Sequence, residues 1–142
     1  MVHIKTDFLF VYSSLRRGFP TQDYEYISKY FDFAGDAKTR GVLSIMNNIV
    51  VGTPVEEEKY IHGELFKIKE PSLFSFAIGQ LDEYEGVHPE PPEQPKYVRS
   101  TTRVFTDGGE ELVAWVYWYN GSVYGLPVLE SGNVLDYLNG NK

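Results

Sequence analysis

Cysteine is absent from the 142 residues, and lysine plus arginine, at 13, fall short of aspartate plus glutamate, at 20. The first absence excludes a disulfide framework, a thiolate nucleophile and a cysteine-based zinc site, and it fits a reducing compartment. The second leaves a formal charge of -7. That is the wrong sign for gathering a phosphate backbone, so no nucleic-acid partner is expected. Long apolar runs are also missing. The stretch from Phe8 to Tyr12 is shorter than the core of a signal peptide, and nothing approaches the ~20 apolar residues of a membrane span. No membrane association is expected, and the chain reads as cytoplasmic. The G-x-S-x-G elbow, the P-loop and G-x-G-x-x-G do not occur, which leaves serine-hydrolase, nucleotide and dinucleotide chemistry without support. His62-Gly63-Glu64 has the H-x-E of zinc deaminases, but the ligand cysteines those enzymes need do not exist here, and strand alternation accounts for His62. No metal or cofactor is expected.

What the chain does have is aromatic, β-rich composition: hydrophobic residues make up 42% and aromatics 15%, with 11 Tyr and 9 Phe. A chain of this length buries roughly 70% of the surface its unfolded form exposes, enough for one domain with a real core. Residues 1–142 are read as a single domain, without internal repeats.

Phe8 to Tyr12 is a continuous aromatic and β-branched run, the pattern of a strand covered on both faces. It enters the polar turn "SSLRRG". Tyr24, Ile27, Tyr30 and Phe31 recur at helical spacing, which predicts a short helix over 23–31. Strands are expected over 38–46 and 48–51, broken at Asn47 and Asn48, and over 60–68. From Pro71 to Glu85 the period changes to three and four, and this is the best helix in the sequence. Two β-rich runs, 97–105 and 111–119, flank Asp107, Gly108 and Gly109 and form a hairpin. The segment "GVHPEPPEQPK" carries Pro89, Pro91, Pro92 and Pro95 and must be a surface loop. Together these elements predict an α+β fold whose strands curl into a small closed barrel or a strongly curved sheet, with flanking helices.

One carboxylate stands out. On a helical wheel with Leu81 at zero, Phe74, Ala77 and Ile78 fall within roughly 60° and Glu85 at about 40°, inside the apolar face. Asp82 and Glu83 fall on the side read as solvated. A carboxylate on an inward stripe is costly to leave charged without partners, which makes Glu85 a candidate general base. The competing reading is a frayed helix end, since Gly86 is a natural helix stop and lets the chain swing outward. Arg16 and Arg17 read as solvent-facing. Trp115, Tyr117 and Tyr119 share one face of the last long strand, with Leu112, Ala114, Val116 and Trp118 on the other, and core filling is the default for both sets.

Four stretches in order, "VYSSLRRG", "LDEYEG", "YVRSTTRV" and "AWVYWY", resemble the gamma-glutamylcyclotransferase-like family from about Phe8 to Tyr119. The tail "ESGNVLDYL" resembles the C-terminal segment of its gamma-glutamylamine cyclotransferase branch. The resemblance implies a small β-barrel with flanking helices. It implies a substrate-binding strand end on Tyr12, Ser13, Ser14 and Leu15, a catalytic glutamate at Glu85, and a pocket hydroxyl at Tyr117. It also implies a small-molecule gamma-glutamyl substrate, whose α-amine attacks its own γ-carbonyl to give 5-oxoproline and a free amine or amino acid, without a cofactor. Ser13 stands where the family has glycine. A catalytically impaired domain that only binds a gamma-glutamyl metabolite is therefore the alternative, and an acidic interaction domain is a third reading. The proline-rich loop from Val87 to Lys96, directly after Glu85, is expected to form one wall of the pocket. Sequence does not fix the oligomeric state or the leaving group.

Overall fold

The computed structural model describes residues 6–13 and 23–140. Strand β1 (Phe8–Val11) is followed by helix α1 (Asp23–Tyr30), which leads into the long β2 (Phe31–Met46). Next come β3 (Ile49–Pro54) and β4 (Tyr60–Ile68), then a single 3₁₀ turn over Pro71–Leu73 that opens helix α2 (Phe74–Glu85). The hairpin β5 (Tyr97–Thr106) and β6 (Glu111–Tyr119) follows, and a two-residue β7 (Val128–Leu129) and α3 (Val134–Gly140) complete the described chain.

The strands run in the order β3-β2-β4-β1-β6-β5, and β2 also pairs with β5, which closes β2, β4, β1, β6 and β5 into a barrel. Every pairing in that ring is antiparallel except β1 with β6, where Leu9 lies opposite Trp115 in a parallel register. The closed-barrel expectation is thus met, with helices outside it.

Alternation along the strands divides the apolar residues into two cores. Phe10, Tyr12, Leu43, Ile61, Val116 and Trp118 fill the barrel interior. Leu9, Val11, Phe66, Ile68 and Tyr117 point outward and are covered by Ala77, Ile78 and Leu81 of α2 and by Ile27 of α1. β1 is therefore buried on both faces, which is why its sequence lacks the polar alternation of a surface strand. Because β1 ends under both cores, its last residues lie between the barrel mouth and α2.

Two short turns match their residues. Asn47 and Asn48 have φ of 49° and 67°, the left-handed pair that joins β2 to β3 as a tight hairpin with Met46 opposite Ile49. Gly109 has φ of 88° and donates its N–H to the Thr106 carbonyl at 3.0 Å, closing the β5–β6 hairpin. β2 begins earlier than its pattern suggests: Phe31 to Phe33 already pairs with β4, and the register shifts between Phe33 and Gly35. Among the described residues, no helix is long and apolar enough to cross a membrane.

Candidate functional site

Glu85 is the last residue of α2, and the backbone decides where it points. Gly86 is left-handed at φ 73°. Its N–H donates to the Glu83 carbonyl at 3.2 Å, and the Val87 N–H donates to the Asp82 carbonyl at 3.0 Å. This paired closure is a Schellman motif, which ends the helix without fraying it. Glu85 accordingly stays on the inward side of α2, and the outward-swinging alternative does not hold.

The carboxylate borders a cavity of about 50 Å³ whose lining includes Phe10, Val11, Tyr12, Ser13, Glu85, Tyr97 and Tyr117. Four of the residues picked out from sequence, Glu85, Tyr12, Ser13 and Tyr117, thus meet at one place. Ser14 and Leu15, expected to continue the strand end, lie outside the described residues. Tyr97 was not foreseen, although it lines the same cavity from the start of β5.

Each tyrosine is placed differently. The Tyr12 ring lies inside the barrel, stacked on Trp118 with centroids 6.0 Å apart. Its hydroxyl donates to the Tyr117 carbonyl at 2.6 Å. A Cβ on Gly52 would come within 2.6 Å of the Tyr12 ring, so this close approach requires glycine. Tyr117 projects from the opposite face of β6, toward α2, and donates to Oδ1 of Asp82 at 2.8 Å. Tyr97 packs edge-on to Tyr119, centroids 5.8 Å apart.

Burial pushes the Tyr12 hydroxyl pKa well up, and neighbouring Tyr97 and Glu85 add to the shift. Tyr97 is pushed up to about 12, first by burial and then by the Glu85 charge. Tyr117 is raised further by burial, by its hydrogen bond to Asp82 and by the Asp82 charge, partly offset by Arg99. At neutral pH these hydroxyls keep their protons. The cavity therefore offers neutral hydroxyls around one carboxylate, an arrangement suited to holding a polar substrate while a proton moves.

Asp82 corrects the sequence reading. Its wheel position placed it on the solvated side, yet it is 4% exposed. Arg99 of β5 reaches it in a fork, Nε to Oδ1 at 2.8 Å and Nη2 to Oδ2 at 3.2 Å. Bidentate pairing of this kind is what a buried carboxylate needs to stay charged. The Arg99 guanidinium also lies 4.5 Å from the centroid of Trp115. Glu83, by contrast, is exposed as expected.

The proline-rich segment also departs from expectation. Its ends are pinned together, the Lys96 N–H donating to the Gly86 carbonyl at 3.1 Å, and Val87 packs against the outer core that includes Tyr117. Lys96 alone of Val87 to Lys96 lines the space next to Glu85. A closed loop with adjacent ends need not cover what precedes it, and sequence carries no signal for that hydrogen bond. No group of three or more histidines and acidic residues among the described residues is arranged to hold a metal ion.

Comparison with known proteins accords with this fold. A protein of Methanocaldococcus jannaschii with the provisional name gamma-glutamylcyclotransferase is 35% identical over 133 residues, covering 92% of this chain and 98% of its own. The crystal structure of an AIG2-like protein from Mus musculus superposes with a TM-score of 0.64 at 23% identity, over 87% of this chain and 86% of the other. YkqA from Bacillus subtilis superposes with a TM-score of 0.66 at 23% identity; it covers 96% of this chain, which spans only 43% of YkqA. Residues 9–136 match the family described as gamma-glutamyl cyclotransferase, AIG2-like, and the chain belongs to that family.

Proposed function

We propose that the protein cyclises gamma-glutamyl amines or peptides to 5-oxoproline, with Glu85 as general base and then general acid. The observation that carries this reading is the position of Glu85, held inward by the Gly86 closure at a cavity edged by the end of β1 and three tyrosines. In the reaction the substrate's α-nitrogen attacks its γ-carbonyl carbon. The new C–N bond closes the five-membered ring as the old γ-amide C–N bond breaks. Glu85 takes a proton from the attacking nitrogen and returns it to the departing one, so the leaving group departs as a neutral amine. The substrate stays in one piece until that bond breaks, so proximity is built into it, and the protein has to hold the folded conformer and stabilise charge on the carbonyl oxygen.

The strand end at Tyr12 and Ser13, continuing in sequence through Ser14 and Leu15, is assigned to the gamma-glutamyl group through its backbone N–H groups. Tyr117 contributes from the other side. Its proton is committed to Asp82, so its oxygen is left to accept a hydrogen bond from the substrate's neutral α-amine. Soluble protein incubated with gamma-glutamyl amines, gamma-glutamyl dipeptides and glutathione, with 5-oxoproline as the readout, tests the activity directly.

A second reading is a domain that binds gamma-glutamyl metabolites without turning them over. Ser13 favours it, because a serine side chain stands at the cavity where the resemblance expects a glycine. Saturable binding by calorimetry with no 5-oxoproline from any member of the panel would establish it instead.

A further inference from the structure

A second, larger recess of about 330 Å³ adjoins the small cavity. The two share Ser13, Glu85 and Tyr97, so a substrate whose γ-amide lies at Glu85 has one end in each. The small cavity, against the end of β1, takes the gamma-glutamyl end under the reading above. The large recess is then left for the departing group.

Its walls are distinctive. Ile49 and Val50 of β3 line it, as do Val134, Tyr137 and Leu138 of α3. Lys96 is its only cation and Glu85 its only carboxylate among the described residues. The Lys96 backbone is fixed at both ends, its N–H on the Gly86 carbonyl at 3.1 Å and its carbonyl accepting from the Asn120 N–H at 3.0 Å. Among the described residues, no carboxylate forms an ion pair with its ammonium. A recess with a largely apolar wall between β3 and α3 and, among the described residues, one cation without an ion-pair partner suits a group that is apolar in its body and anionic at one point. It disfavours a cationic leaving group such as a diamine, which would meet Lys96 with like charge.

Resting on the proposed cyclisation, we infer that the departing group is an amino acid with a bulky apolar or aromatic side chain. That side chain lies between β3 and α3, and its carboxylate pairs with Lys96. Lys96 is thereby a specificity-determining residue rather than a catalytic one.

The test uses four substrates: gamma-glutamyl-phenylalanine, gamma-glutamyl-phenethylamide (the same ring without the carboxylate), gamma-glutamyl-glycine and gamma-glutamyl-putrescine. For 5-oxoproline release, kcat/KM is expected to favour phenylalanine over glycine by about ten- to hundredfold, the range for burying one such side chain. It is expected to favour phenylalanine over phenethylamide by about three- to tenfold, the range for a single partly exposed ion pair with good geometry. Lys96→Gln is expected to bring the second ratio close to one, and Leu138→Ala to reduce the first. Release with a flat profile across the panel overturns the inference and leaves the cyclisation standing. If no substrate gives 5-oxoproline, calorimetric titration of the same four compounds decides. The same preference in binding keeps the recess assignment while the cyclisation falls, and equal or absent binding overturns both.

Discussion

The Tyr117 hydroxyl of β6 donates to Oδ1 of Asp82 at 2.8 Å, the same oxygen that accepts from Nε of Arg99 at 2.8 Å. Asp82 thus ties α2 to two adjacent strands at once. It lies three residues before Glu85, on a neighbouring position of the helix surface. Holding Asp82 against β5 and β6 holds the last turn of α2, and with it the direction of Glu85.

Removing the carboxylate should therefore cost more than removing the hydroxyl. Asp82→Ala leaves Arg99 without its partner and Tyr117 without its acceptor, and a loss of about 3–5 kcal/mol is expected, as for breaking a buried pair. Tyr117→Phe leaves the Asp82–Arg99 fork intact and should cost about 1–2 kcal/mol. Urea unfolding of both single variants and the double variant measures this. Strictly additive losses would show that Tyr117 and Asp82 do not act as a unit.

Glu85→Gln keeps the size of the side chain and removes the base. Turnover should fall by about 10² to 10⁴ while the melting temperature stays close to the parent's, since Glu85 is only half-buried. Glu83→Gln, on the exposed side of the same turn, should change neither. Parent-like 5-oxoproline release by Glu85→Gln would remove Glu85 from the mechanism.

The contrast between Glu85 and Asp82 shows what sequence makes legible. Local periodicity placed Glu85 correctly, because Phe74, Ala77, Ile78 and Leu81 define a stripe and Glu85 falls in it. The same wheel turned Asp82 outward, because its burial is set by Arg99, seventeen residues away on another element. A carboxylate beside an apolar stripe followed by an arginine in an alternating strand is a weak signal for such a pair, and it is clear only once β5 is known to lie under α2. The strands were legible from their β-branched and aromatic runs, and the Asn47-Asn48 and Asp107-Gly109 turns from residues that tolerate positive φ. The first half of β2 was not, since "FDFAGDA" lacks a clean alternation and contains the register shift near Gly35. β7 and α3 are too short to carry a period, so the recess wall that α3 supplies stayed hidden as well.

The buried hydroxyls set a limit on alkaline stability. Tyr97 is held at about 12, and Tyr12 and Tyr117 are raised as well, whereas an unfolded tyrosine titrates near 10. Above pH 10 the folded state therefore binds more protons than the unfolded one, and the slope of stability against pH is negative. This contribution is fully present below pH 10 and is lost as pH rises through about 12. Phenolate absorbance near 295 nm and far-ultraviolet circular dichroism should then change together in that window. A large early absorbance step below pH 10.5 with the fold intact would contradict the burial of these groups.

Ser13 decides between catalyst and binder. Among the described residues, the non-glycine residues with positive φ are Asn47 and Asn48, so Ser13 does not occupy the strained region that would demand glycine. Its Cβ is compatible with the backbone there, and the remaining question is whether the side chain obstructs the cavity it lines. If it does not, Ser13→Gly should leave turnover within about twofold and lower stability by up to about 1 kcal/mol, because glycine gives the unfolded chain more freedom to lose. If the hydroxymethyl group blocks the gamma-glutamyl end, the same change should raise 5-oxoproline release sharply from a low starting value. Melting temperature and product release measured on the same two proteins separate the outcomes. A silent parent rescued by glycine would mean that the Ser13 side chain keeps the natural protein from turning over gamma-glutamyl substrates.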